Sequence, residues 1–163
     1  MNISLRKWEK SDLTSLVKYA NNPEIAKNLT NVFPYPYTET DGIRFIERAQ
    51  AAMIFAIDYN QEAIGGIGLH PQTDIFSING ELGYWLAEEF WGKGIMSQAV
   101  QLMIRYAWDN TELHRLFARP FGSNTGSQRV LEKCGFVLEA RISKNIIKYG
   151  ELHDELIYAI RRP

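Results

Sequence analysis

ELGYWLAEEFWGKGIMSQAV, residues 81–100, runs from an alternating strand through a short acidic turn into Gly92-Lys93-Gly94 and then directly into a helix. Two glycines at such a junction let the backbone take φ > 0 and come close to a ligand. The first turn of the helix then offers N–H groups without intrahelical partners, together with the positive end of the helix dipole, and both favour an anion such as phosphate. Lys93 adds a positive charge at the same place. A glycine-rich turn that merely lets strand and helix pack would read the same way, so the junction alone leaves both readings open.

The spacing rules out two familiar phosphate loops. A Walker A loop follows its lysine with Ser or Thr, and here Gly94 follows Lys93. A dinucleotide fingerprint needs a third glycine three places beyond the second, where this chain has Ser97.

Working outward, the first half reads as short alternating elements. Ile3 and Leu5 suggest an opening strand, and Ser11 or Asp12 is expected to cap a helix presenting Leu13, Leu16, Val17 and Ala20. Pro34 and Pro36 in FPYPYT force an irregular path, and Thr38 with Asp41 forms the start of a helix running to about Gln50. MIFAIDY and AIGGIGLH, joined around Asn60, read as a hairpin. Beyond residue 94, Ala99, Leu102, Met103, Tyr106 and Ala107 share one face of a long helix. RLFARP is a strand ended by Pro120, NTGSQRVLEKCGF is a helix from Asn124 closed by Gly135, and the tail gives two strands joined across Tyr149 to Leu152. This order predicts an α/β or α+β domain on one twisted mixed sheet, with helices on both faces.

FWGKGIMSQAV followed by NTGSQRVLEKCGF resembles the two signature blocks of the GNAT acyltransferases. ELGYWL and the tail YGELHDELIYAI point more narrowly to the RimJ/RimL-like branch, the N-terminal acetyltransferases of ribosomal proteins. The likeness spans nearly the whole chain, so residues 1–163 are expected to form a single GNAT-type domain. It implies acetyl-CoA as donor, with the pyrophosphate on Gly92, Lys93, Gly94, Ile95, Met96 and Ser97. It also implies backbone pairing of the pantetheine arm near Leu86 and Ala87, where neighbouring strands splay. The family loop commonly opens with Gln or Arg where this chain has Glu89, which removes a side-chain contact and leaves the backbone donors untouched.

Asn124 and Ser127 read on spacing alone as helix capping. By resemblance the asparagine touches the cofactor and the serine faces the departing sulfur. Acyl transfer to an amine requires loss of a proton from the amine and a donor for the thiolate, while the carbonyl oxygen calls for a backbone N–H near Leu86. Ser127 is the expected donor. Glu81 is the expected base, directly or through water; an exposed strand-end carboxylate is the competing reading. The glutamate that RimL-like enzymes can carry after the second block has no counterpart here, since Ser143 to Tyr149 holds Ile146 and Ile147 and no acid. Tyr149 is more readily a packing residue, and Cys134 likewise. His70 is a strand-end histidine near the signature strand, and Tyr35 and Tyr37 belong to an irregular loop on the acceptor side.

Composition narrows the classes. Eighteen Lys+Arg against nineteen Asp+Glu give a net charge of −1, without the basic excess of a nucleic-acid binder. The basic surplus sits after Leu113, nine Lys+Arg against five Asp+Glu. The longest apolar run, Ala51 to Ile57, is far short of a membrane span, and MNISLRKWEK lacks the apolar core of a signal peptide. One cysteine and three dispersed histidines offer no metal spacing. The expectation is a cytoplasmic, metal-free N-acetyltransferase, monomer or homodimer. It would use acetyl-CoA as co-substrate and pass acetyl directly to an amine of a protein N-terminus or small molecule, without nucleic-acid or membrane partners. A non-catalytic acyl-CoA-binding module and a purely structural domain are the alternatives.

Overall fold

The computed structural model describes residues 2–163. Seven strands form one sheet in the order β1-β2-β3-β4-β5-β7-β6. They are β1 (Ser4–Lys7), β2 (Met53–Tyr59), β3 (Glu62–Pro71), β4 (Asn79–Leu86), β5 (Arg115–Ala118), β6 (Val137–Lys148) and β7 (Glu151–Arg161). All neighbours are antiparallel except β4 and β5, whose parallel contact requires the intervening helix as a crossover. Helices α1 (Leu13–Ala20), α2 (Pro23–Ala26) and α3 (Glu39–Gln50) precede β2, α4 (Ile95–Asn110) joins β4 to β5, and α5 (Thr125–Lys133) joins β5 to β6.

Local chemistry sets the boundaries. Thr38 accepts from the Asp41 N–H at 3.2 Å while Asp41 accepts from the Thr38 N–H at 2.8 Å, a reciprocal cap for α3. Asn60 and Gln61 take positive φ of 52° and 66° in the two-residue hairpin between β2 and β3, matching the right-handed strand twist. Gly135, at φ 89°, closes α5 as expected. The cap expected at Ser11 or Asp12 is different. A 3-10 turn at Lys10–Asp12 precedes α1, and the Asp12 carboxylate turns inward to accept from the Glu9 N–H at 2.8 Å.

Alternation along the strands divides the helices between the two faces. Phe55, on one face of β2, packs edge-on against Tyr106 of α4 with centroids 4.9 Å apart. The opposite face meets α3, where Trp8 contacts Phe45 at 5.2 Å and stacks on Trp85 at 6.5 Å. The core is continuous, with Leu16, Ile57, Ile64, Leu116 and Leu131 fully buried. No helix among the described residues is long and apolar enough to cross a membrane.

One charged knot holds the sheet edge to the first helix. The Arg6 guanidinium donates to both Asp12 oxygens at 2.8 Å and through Nε to Asp58 at 2.6 Å. Burial pushes the Asp12 carboxyl up, but its bonds from Arg6 and the Glu9 N–H outweigh this and hold it below the usual carboxylate value. Arg6→Ala strands two carboxylates, one of them buried, and is expected to lower stability by about 1–3 kcal/mol. A chemical denaturation series showing a reduced midpoint with unchanged slope checks this.

Candidate active site

The register of β4 builds the site. On one side it stays paired with β3 as far as Leu86 opposite Gly65, and the Ala87 N–H donates to the Ile64 carbonyl at 2.9 Å. On the other side its pairing with β5 covers only Asn79, Gly80 and Glu81. The Ala87 bond fixes the parity, since alternate residues of a strand point their backbone groups to opposite edges. Tyr84 and Leu86 therefore turn their N–H and C=O toward the side that β5 has left. The Leu86 carbonyl accepts from the Trp91 indole at 2.8 Å, which ties the following turn to the strand end.

β5 leaves because Pro120 follows almost at once, and proline has no N–H with which to extend a ladder. The chain then follows β7: the Leu156 N–H donates to the Pro120 carbonyl at 3.0 Å, and the Gly122 N–H to the Asp154 carbonyl at 2.8 Å.

Two cavities meet at this gap. The first is lined by Leu86, Gly92, Gly94, Ile95, Met96 and Ser97, together with Asn124, Ser127 and Lys133. Gly94, at φ 77°, is the N-cap of α4 and offers no side chain to its first turn, while Gly92 lies at φ 72°. A Cβ at either glycine would meet nothing within 4 Å, so the loop leaves open space before N–H groups that lack helical partners. That arrangement fits a pyrophosphate. Lys93 points elsewhere: its ammonium donates to the Glu89 carbonyl at 2.9 Å and lies 5.4 Å from the Phe90 ring centroid. Lys133, at the far end of α5, supplies a cation to the cavity wall instead, and its distance in sequence from the loop hid it. Ala87 is also outside the lining, its N–H committed to Ile64. Burial pushes the Cys134 thiol up, and its sulfur contacts the Ser97 carbonyl at 3.4 Å, so it is a packing residue without thiolate character.

The second cavity is a cleft of about 620 Å³ on the α3 face. Its floor is β3 and β4, where Gly83 leaves room while Trp85 packs over Gly66 and His70 over Gly68; its walls include Phe33, Tyr37, Phe45 and Trp85. Tyr37 of the FPYPY loop is buried there and its phenol is pushed up to about 12, chiefly by burial, whereas Tyr35 lies on the exposed side. Glu81 and His70 sit opposite each other in the register at the far end. Arg119 donates to Glu81 through Nε at 2.9 Å and to Glu155 at 3.4 Å, bridging β4, the end of β5 and β7. Burial holds the His70 imidazolium below its ordinary value, so the ring is neutral near pH 7 and able to accept a proton. Ile146 and Ile147 lie on edge strand β6, and Tyr149 turns the hairpin at φ 50°.

Tyr84, Trp85, Asn124 and Ser127 line both cavities. The Asn124 side-chain oxygen caps α5 by accepting from the Ser127 N–H at 3.2 Å, and the Ser127 hydroxyl meets the Tyr84 hydroxyl at 2.6 Å. Burial holds the Tyr84 phenol well above its ordinary value, so it stays neutral and keeps its proton. The sequence alone does not show Tyr84, because its partner is 43 residues away and an aromatic in a strand reads as core. No group of three or more potential metal ligands is found among the described residues.

Comparison with known proteins shows the family and the fold. The family described as acetyltransferase (GNAT) domain matches residues 2–137. The ribosomal-protein-serine acetyltransferase of Escherichia coli K12 is 32% identical over 108 residues, covering 66% of this chain and 60% of that protein. The chain spans about half the length of two Bacillus subtilis relatives that it matches at 43% and 34% identity, 45% and 55% of them respectively. A GNAT-family acetyltransferase structure from Bacillus anthracis superposes with a TM-score of 0.88 at 27% identity, covering 99% of this chain and 95% of that one. The microcin C7 self-immunity acetyltransferase MccE, in complex with acetyl-CoA and AMP, gives 0.84 at 25% identity over 98% and 92%. With a mixed sheet parted beside a glycine-opened helix and a family match over most of its length, the chain belongs to the GNAT acetyltransferases.

Proposed function

We propose that this protein is an acetyl-CoA-dependent N-acetyltransferase that passes acetyl directly to a primary amine within a ternary complex. The observation that carries the reading is the hydroxyl pair of Tyr84 and Ser127, 2.6 Å apart at the junction of the two cavities beside the unpaired edge of β4. The backbone of Gly92 to Ser97 holds the pyrophosphate, with Lys133 as the cation on the wall, and the free edge at Leu86 pairs with the pantetheine amides. When bound, acetyl-CoA supplies an acyl thioester activated toward amines.

The residues of the chain then divide the proton work. The Tyr84 phenol donates to Ser127 Oγ, which leaves the serine proton free to face the departing sulfur and makes it a better donor than an isolated hydroxyl. An N–H of the free β4 edge meets the negative charge that develops on the carbonyl oxygen. Glu81, with one lone pair on each oxygen still open beside Arg119, takes the amine proton directly or through water. The buried, unactivated Cys134 gives no support to an acyl-enzyme. The named activity of the E. coli relative makes a ribosomal-protein N-terminus one acceptor in this reading, and the RimJ/RimL-like resemblance of ELGYWL agrees with it.

Turnover is tested by following thiol release from acetyl-CoA with a panel of amines; binding of acetyl-CoA without turnover of any amine would refute the reading. Glu81→Gln is expected to slow the reaction at pH 7. With no base, the rate follows the fraction of free amine, which rises about tenfold per pH unit below the amine pKa. The deficit therefore shrinks toward alkaline pH, and a profile that only scales the wild-type curve would make Glu81 structural.

Ser127→Ala is expected to reduce kcat by up to about 10²-fold, and Tyr84→Phe by about tenfold, the value of one neutral hydrogen bond. The double variant should fall close to Ser127→Ala alone, because the phenol acts through the serine. Fully additive losses in a double-mutant cycle would separate the two.

Gly83 provides a steric test of the acceptor cleft. A Cβ there meets nothing within 4 Å, so Gly83→Val should fold and keep its acetyl-CoA affinity while raising the KM for amine. An unchanged amine KM would move the acceptor site elsewhere.

A further inference from the structure

Helix α3 presents two arginines to the acceptor cleft. Arg44 and Arg48 lie one turn apart and both line it, so their side chains run up the same wall. Among the described residues neither donates a hydrogen bond to a carboxylate or carbonyl; Arg105 and Arg129 share this, whereas Arg6, Arg115, Arg119, Arg141, Arg161 and Arg162 are hydrogen-bonded, and of the four only Arg44 and Arg48 line the cleft. Arg48 lies over the Phe45 ring, 5.6 Å from its centroid, which steadies the plane of the guanidinium and leaves its N–H edge open. Like charges four apart oppose helix formation, so the spacing of the pair does not itself favour α3.

The remaining charges in the cleft are already committed. Asp41 directs its carboxylate to the Thr38 N–H and hydroxyl, at 2.8 and 2.7 Å, bonds that hold it below the usual carboxylate value with a smaller contribution from Arg44 through space. Glu81 accepts from Arg119, which in turn reaches Glu155. His70 faces the pair from β3 and is neutral near pH 7, held there by burial, with Arg48 acting in the same direction. The charges named balance overall, Arg44, Arg48 and Arg119 against Asp41, Glu81 and Glu155, but they are separated in space: the two guanidinium groups with open N–H edges lie together on the α3 wall. A fork of N–H donors at a fixed spacing is suited to carboxylate or phosphate oxygens.

We propose that the acceptor is an amine that also carries an anionic group, carboxylate or phosphate, held by Arg44 and Arg48 while the amine lies at the β4 gap. The inference rests on the transfer reading above. It excludes polyamines and basic peptides as good acceptors, since these would bring positive charge against the pair. Acidic peptide N-termini and small anionic amines share the chemistry, and the experiment separates them.

The test uses C-terminally amidated tetrapeptides Ser-Asp-Glu-Ala, Ser-Asn-Gln-Ala and Ser-Arg-Arg-Ala, with O-phosphoethanolamine against ethanolamine as the small-molecule arm. At low salt the acidic peptide is expected to exceed the basic one about tenfold in kcat/KM, mostly through KM, for two partly exposed ion pairs. The margin should narrow at 0.5 M NaCl, where screening is complete within a few ångströms. In Arg44→Gln/Arg48→Gln the preference should approach parity, and Arg48→Glu should reverse it. A preference for O-phosphoethanolamine alone would assign a small anionic amine, and one for the acidic peptide alone a protein N-terminus. Equal turnover of all three peptides, or a preference that survives the double variant, overturns the inference and leaves acetyl transfer standing. Calorimetric titration of the acidic peptide into protein saturated with CoA reads the site without turnover. Binding there that the double variant loses upholds the anion site even if no amine reacts, and absence of binding together with absence of turnover overturns both.

Discussion

The parting of β4 from β5 after Glu81 is the constraint on which the rest of the site depends. Backbone N–H and C=O groups inside a protein need partners, and a strand interior to a seven-stranded sheet would ordinarily find them on both sides. Here β4 is held by β3 to its end, while β5 is drawn away by Pro120 and by its bonds to β7. The free edge at Tyr84 and Leu86 is thus a consequence of topology. A ligand carrying amides satisfies that edge as a neighbouring strand would.

The same parting connects the two faces of the sheet. Glu81 and Trp85 belong to the α3 face and Tyr84 to the α4 and α5 face, so in an unbroken sheet their side chains would be separated by the backbone layer. With β5 gone, Ser127 at the start of α5 reaches Tyr84, and the cleft on the α3 face shares a wall with the cavity at the Gly92–Ser97 loop. Arg119 limits how far the gap opens. Its guanidinium lies between Glu81 on β4 and Glu155 on β7, a side-chain tie across the mouth where main-chain pairing has stopped.

What could be read in the sequence was what local chemistry controls. The glycines at 92 and 94, the Thr38 cap, the turn at Asn60 and the stop at Gly135 each depend on a few consecutive residues, and all appear as expected. Contacts across long separations could not be read. Nothing local in the sequence singles out Tyr84, Arg119 or Lys133; each acquires its place in the site from a partner or cavity formed by other elements. Lys93 shows the converse. Its place in the motif pointed to phosphate, but a flexible side chain beside a free carbonyl and an aromatic ring folds back onto its own loop. Asp12 likewise was read as a cap when the decisive partner, Arg6, lay on the strand before it.

The two halves of the site differ in what they ask of the sequence. The donor side is made largely of backbone: helix N–H groups after two glycines, and a strand edge exposed by topology. Such groups are present whatever the side chains of the loop. The acceptor side is made of side chains from elements with little else in common, namely α3, the Phe33 to Tyr37 loop, the strand ends and the turn after β5. Substitution there changes charge and shape without disturbing the sheet, because Gly83 leaves part of the floor open and the walls are helix surface and loop. In this reading a single fold keeps one donor while its acceptor changes, and Arg44 and Arg48, exposed on the wall of α3, are the kind of residues through which such a change is made.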